Sequence, residues 1–124
     1  MRTIFLISCA IFLAAPVAFA DSEAIRTMAT ITKNLNHFPS DADKQELASI
    51  IESDESSKAE IAVASAISDF EHKVSESDRT ELQSVIDDDS APADLRELAS
   101  ILMTINHSPS ESDVEKLDRI ASAT

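Results

Sequence analysis

The sequence contains no glycine, tryptophan or tyrosine, and only five of its 124 residues are aromatic. Without glycine the chain cannot form a P-loop, a dinucleotide-binding turn or a nucleophile elbow of the usual kind. Tight β-hairpins also lose the residue that they prefer. We therefore expect a non-enzymatic protein, with no catalytic residues and no cofactor.

Basic residues are also few, with ten Lys and Arg against 23 Asp and Glu, a formal net charge of −13. Nucleic acid is not an expected partner, because phosphate binding requires a basic face. An anionic membrane surface is disfavoured for the same reason. The acidity either keeps a helical protein soluble or attracts basic proteins and divalent cations.

The N-terminus has the pattern of a cleaved secretory signal, predicted over residues 1–20. Arg2 precedes a nearly continuous apolar run over residues 4–15, and small residues flank a cut before Asp21. The run is shorter than the ~20 residues that a membrane-spanning helix needs, so we expect no membrane insertion after cleavage. Cys9, the single cysteine, leaves with the signal, and the exported domain must depend on core packing. We expect export to the periplasm of a Gram-negative bacterium, or secretion.

Three segments of the remaining chain repeat with a period of 35 residues, around His37, His72 and His107. Apolar residues at helical spacing precede and follow each histidine, which predicts a corner between two helices. The sequence therefore predicts an all-α domain over residues 21–124, made of three tandem helical hairpins. The units cover about residues 22–56, 57–89 and 90–124. A compact six-helix array and a short α-solenoid both remain possible.

Each corner carries a serine that can cap the second helix, with an aspartate three residues later, as in a capping box. The predicted cap pairs are Ser40 with Asp43, Ser75 with Asp78, and Ser110 with Asp113. The first helix is predicted from about Glu23 to His37, and Ser57 with Glu60, and Ser90, are predicted to cap the helices that open the second and third units. Matching apolar positions predict the core: Met28, Val63 and Leu98; Leu35, Phe70 and Ile105; Leu47, Leu82 and Leu117.

The three histidines raise the question of a metal site, which requires nitrogens within about 2 Å of one ion. Equivalent residues of stacked hairpins lie roughly 8–10 Å apart or more. We therefore predict a row of histidines, each closing its helix near the C-terminal carbonyls, and no metal site. The alternative is an interaction or pH-sensitive surface formed by this row and the acidic residue after each capping serine: His37, His72, His107, Asp41, Glu76 and Glu111.

A calcium loop is a weaker hypothesis for the acidic residues of the first corner. Asp41, Asp43, Gln45 and Glu52 fall at ligand offsets of such a loop, but its glycine is missing and Leu47 continues a helical stripe. Capping accounts for Asp41 and Asp43 without a cation.

The predicted function is a small exported module that binds a protein or peptide, because helical hairpins present grooves suited to such partners. Two alternatives stay open. One is a cation-responsive (calcium) acidic envelope protein, and the other is a structural or stress-related periplasmic protein with no discrete ligand. The sequence leaves the oligomeric state undetermined.

Overall fold

The computed structural model describes the backbone of residues 14–122 and the side chains of residues 23–122. This part of the chain is all-helical, with six helices and no strand, which confirms the all-α part of the predicted fold class. The helices are α1 (Ala14–Lys33), α2 (Asp41–Glu52), α3 (Lys58–Ser68), α4 (Glu76–Asp87), α5 (Ala93–Thr104) and α6 (Glu111–Ser122).

The predicted signal, residues 1–20, lies entirely outside the side chains that are described. Residues 1–13 lie outside the described residues, and the backbone of residues 14–20 belongs to α1, which continues past Asp21. The cleavage site therefore remains a prediction. At its other end α1 stops at Lys33 instead of at the expected His37. His37 itself is excluded from the helix, because its φ of 72° lies outside the right-handed helical region.

The helices that follow the corners begin with side-chain caps. At all three corners the serine hydroxyl accepts the aspartate backbone N–H, at 3.1–3.2 Å, in the pairs Ser40–Asp43, Ser75–Asp78 and Ser110–Asp113. At the first and third corners the aspartate carboxylate also accepts the serine backbone N–H, at 3.3 Å. These bonds occupy N–H groups that the start of a helix otherwise leaves without a partner.

The starts of α3 and α5 differ. Ser57 and Glu60 form a reciprocal capping box at the start of α3, with Glu60 buried. At α5 the predicted cap Ser90 is wrong, because Pro92 is the N-cap residue. The Ser90 hydroxyl donates instead to the Asp88 carboxylate at 2.6 Å, and the Ser90 N–H donates to the same oxygen at 2.9 Å. These two bonds hold the pKa of Asp88 below its usual value.

Helix packing closes the array. α2 packs on α3 and α4 on α5, and α6 returns to pack extensively on α1. The helices that precede the corners, α1, α3 and α5, also contact one another. An open solenoid would keep its last helix away from its first, so of the two predicted arrangements the compact array is the one observed.

The core is one cluster of buried apolar side chains to which all six helices contribute. All nine of the predicted positions are buried: Met28, Val63, Leu98, Leu35, Phe70, Ile105, Leu47, Leu82 and Leu117. Among the described residues Phe38 is the one large apolar side chain that is exposed, at 60 %. No helix in the same part of the chain is both long and apolar enough to cross a membrane.

Replacing Leu82 by alanine should lower the free energy of unfolding by about 2–5 kcal/mol, the usual cost of removing a fully buried leucine side chain. Leu47→Ala and Leu117→Ala should cost about as much, since both leucines are equally buried. Urea denaturation measures the three values. The control is Glu81→Ala on the exposed face of α4, expected to stay within about 0.5 kcal/mol. A negligible effect of Leu117→Ala would show that α6 does not close the array.

Candidate metal centre

The three histidines share an unusual backbone conformation. His37, His72 and His107 have φ values of 72°, 68° and 75°, and no other described residue has a positive φ. In this left-handed region the Cβ atom crowds the following carbonyl oxygen, at a cost of about 1–2 kcal/mol per residue. The conformation lets the chain turn sharply between one helix and the next.

The backbone groups of the same residues form a closed cycle of hydrogen bonds. The His37 N–H donates to the carbonyl oxygen of His107 at 2.7 Å, the His72 N–H to that of His37 at 2.6 Å, and the His107 N–H to that of His72 at 2.6 Å. We call this arrangement the backbone cycle. It joins the three corners at one point, although 35 residues separate each corner from the next.

The expected row of histidines is therefore wrong. The imidazole centroids are 5.1 Å apart for His37 and His72, 5.0 Å for His37 and His107, and 4.9 Å for His72 and His107. Equivalent residues of a closed array surround a common axis, whereas those of an open stack follow one another along it. Each histidine also lies beyond the end of the preceding helix, so none closes its helix as expected.

The spacing of the imidazoles fits three ligands of one metal ion. An ion about 2.1 Å from a histidine nitrogen lies roughly 3.2 Å from the ring centre, so three rings at angles of about 100–110° have centroids about 5 Å apart. The observed separations of 4.9–5.1 Å match this value, and the rings meet edge to face at interplanar angles of 79–90°, an arrangement that aromatic rings in direct contact also adopt. The distance argument that led us to predict no metal site therefore does not hold.

The nitrogen atoms themselves are somewhat more widely spread. One ligand atom from each histidine lies within 4.8 Å of the other two. A tetrahedral site with bonds of about 2.1 Å needs nitrogens roughly 3.4 Å apart. An entering ion therefore requires the imidazoles to turn towards the common axis about their side-chain bonds, with the backbone cycle unchanged.

Asn36 orients one of the imidazoles. Nδ1 of His37 lies 2.8 Å from Oδ1 of Asn36. An amide oxygen only accepts, so this contact places the proton on Nδ1 and leaves the lone pair of Nε2 available for a metal. Metal-binding histidines usually donate their other N–H in this way. The sequence analysis missed Asn36, and the available signal was that an asparagine also precedes His107.

The conformation of the corners brings no net gain from the backbone. Three backbone hydrogen bonds contribute about 0.5–1.5 kcal/mol each, which no more than offsets three left-handed conformations at about 1–2 kcal/mol each. Glycine would avoid the steric cost, and asparagine, aspartate and histidine are the other residues enriched at positive φ. Histidine is therefore one of several residues that the conformation allows, and the case for a site rests on the convergence of the three imidazoles.

The acidic residues proposed from the sequence do not join the histidines. Asp41, Glu76 and Glu111 are the exposed first residues of α2, α4 and α6. Within the described part of the chain the three histidines form the one group of potential metal ligands, and it includes no carboxylate. The calcium-loop hypothesis is wrong for residues 41–52, because this segment is the helix α2.

None of the three imidazoles is buried, so an ion that they bind is accessible from solvent.

Comparison with protein-family models, curated proteins and solved structures gives no match to this chain. The chemistry of the histidine cluster is accordingly the basis for a functional argument.

Substitutions at His107 test the left-handed backbone conformation. His107→Gly should be more stable than His107→Ala by about 1 kcal/mol, because glycine adopts a positive φ without steric cost. Urea denaturation in the presence of a chelator measures the difference.

The matched control is the same pair of substitutions at Glu81, an exposed position inside α4. There the order should reverse, with alanine about 1 kcal/mol more stable than glycine, because the backbone is helical. Equal or greater stability of His107→Ala would contradict the positive φ.

Proposed function

We propose that this chain is an exported helical protein that binds one divalent transition-metal ion through His37, His72 and His107. The observation that carries the proposal is the convergence of three imidazoles, one from each 35-residue unit, at centroid distances of 4.9–5.1 Å. The proposal replaces the expectation of no metal site. That the protein is not an enzyme stays a prediction from the sequence.

The ligand type selects the class of ion. Imidazole nitrogen suits Zn²⁺, Cu²⁺ and Ni²⁺, whereas Ca²⁺ and Mg²⁺ take oxygen ligands. The group contains three histidines and no carboxylate. A transition metal is thus favoured over calcium, the cation considered from the sequence.

Metal binding should also stabilise the fold. We propose that the chain consists of three helical hairpins, each of which contributes one ligand. The histidines are 35 and 70 residues apart along the chain and are brought together by the closed array. Because the unfolded chain does not preform this site, the free energy of metal binding adds to that of folding.

The remaining expectations are separate from the metal centre. The signal over residues 1–20 and export to the periplasm stay predictions, as does a protein or peptide partner. An exposed metal centre is compatible with a protein or peptide partner. A bound ion would exclude the other alternative, a structural or stress-related protein with no discrete ligand.

Zn²⁺ should bind with one ion per protein molecule and stabilise the fold. At a free concentration 100 times the Kd, the free energy of unfolding should rise by about 2.7 kcal/mol. His72→Gly should remove this gain, because it deletes one ligand but allows the same backbone conformation. Isothermal titration calorimetry and urea denaturation measure the two effects.

Two controls distinguish binding of the metal by the histidines from a general attraction of cations to the acidic protein. Glu76→Gln removes a negative charge at the start of α4, outside the ligand group, and should retain binding. Ca²⁺ should give no gain that depends on His72. The proposal fails if Zn²⁺ stabilises wild type and His72→Gly equally, or if neither protein binds it.

A further inference from the structure

We infer that an ion bound by the three histidines keeps one coordination position open to solvent, where it exchanges small external ligands. The inference rests on the proposed function, and it distinguishes an exchangeable centre from a structural one. A structural zinc site is closed by four protein ligands, whereas a site with three protein ligands keeps its fourth position for water or another ligand.

The number of ligands is the first observation. The group of potential metal ligands contains His37, His72 and His107 and no fourth histidine or carboxylate among the described residues. Asp43 and Asp113, two acidic residues close to the corners, accept the backbone N–H groups of their capping serines. These carboxylates are therefore engaged at the starts of α2 and α6.

The backbone supplies the second observation. The carbonyl oxygens of the three histidines already accept the N–H groups of the backbone cycle. The cycle thus occupies the main-chain groups nearest the imidazoles. These carbonyl oxygens and the carboxylates of Asp43 and Asp113 are thus already hydrogen-bonded, and none of them belongs to the ligand group, which leaves the fourth ligand to come from outside.

Solvent access is the third observation. None of the three imidazoles is buried, and each lies at a corner between helices at the same end of the array. An ion on their common axis faces solvent on the side away from the backbone. We expect the ligand that replaces water at the open coordination position to be a monodentate anion or a neutral nitrogen donor. A donor group of a receiving molecule can enter by the same route, which suits reversible loading and release of the ion.

The test uses the purified protein loaded with Co²⁺, whose visible absorption reports coordination, and azide as the external ligand. Co²⁺ should give the intense visible bands of a four-coordinate site in wild type and only the weak bands of aqueous Co²⁺ in His72→Gly. Azide should shift these bands saturably, with one azide bound per cobalt. The Glu76→Gln variant should behave as wild type, because Glu76 is outside the ligand group.

Three results would contradict the inference in different ways. Cobalt bands that saturating azide leaves unchanged would mean a closed centre, and metal binding itself would stand. One cobalt per two protein molecules, with a dimer mass by light scattering, would mean that a second copy fills the open position. No cobalt bands in wild type, together with no Zn²⁺ binding, would remove the proposed function and this inference with it.

Discussion

Three backbone hydrogen bonds between the corners, each from one histidine N–H to the carbonyl oxygen of another, fix the arrangement of this protein. They bring residues 37, 72 and 107 to one axis and so determine where the six helices begin and end around it. Their net energy is small once the left-handed conformations are included. The buried apolar side chains stabilise the fold, and the backbone cycle sets its geometry.

The cycle accounts for the strict period of the sequence. Each corner must reach the same axis, so the chain between successive corners must have the same path, and both intervals are 35 residues. One additional residue in a helix would rotate the later side chains of that helix by about 100° and move its apolar face away from the core. Side chains inside the interval are less restricted, as the change from Met28 to Val63 to Leu98 at one buried position shows.

Much of the fold could be predicted because it depends on local chemistry. Serines capping the helices and apolar residues at helical spacing act within a few residues, and the buried positions agree with the pattern. Ser90 was the exception, since Asp88 competes for its hydroxyl and Pro92 supplies the start of α5. That competition depends on the conformation of the turn, which the pattern does not specify.

The histidine cluster could not be predicted for a different reason. Whether three equivalent histidines form a row or a cluster depends on closure, and closure depends on the packing of α6 on α1, at opposite ends of the chain. A hint was present in the third unit, which has the same apolar pattern as the other two, whereas an open array needs a polar terminal face. The positive φ of the histidines could not be predicted either, because glycine is the usual sequence signal for a positive φ and this chain has no glycine.

Amide hydrogen exchange at the three histidines tests this account most directly. If the backbone cycle holds the three corners together, each histidine amide can open only when the corners separate. His37, His72 and His107 should then exchange with a free energy close to that of global unfolding, although their side chains are not buried. The Ser90 amide, bonded to Asp88 within a single turn, should exchange by local opening. Histidine amides that exchange as fast as that of Ser90 would show that the cycle does not hold the corners together.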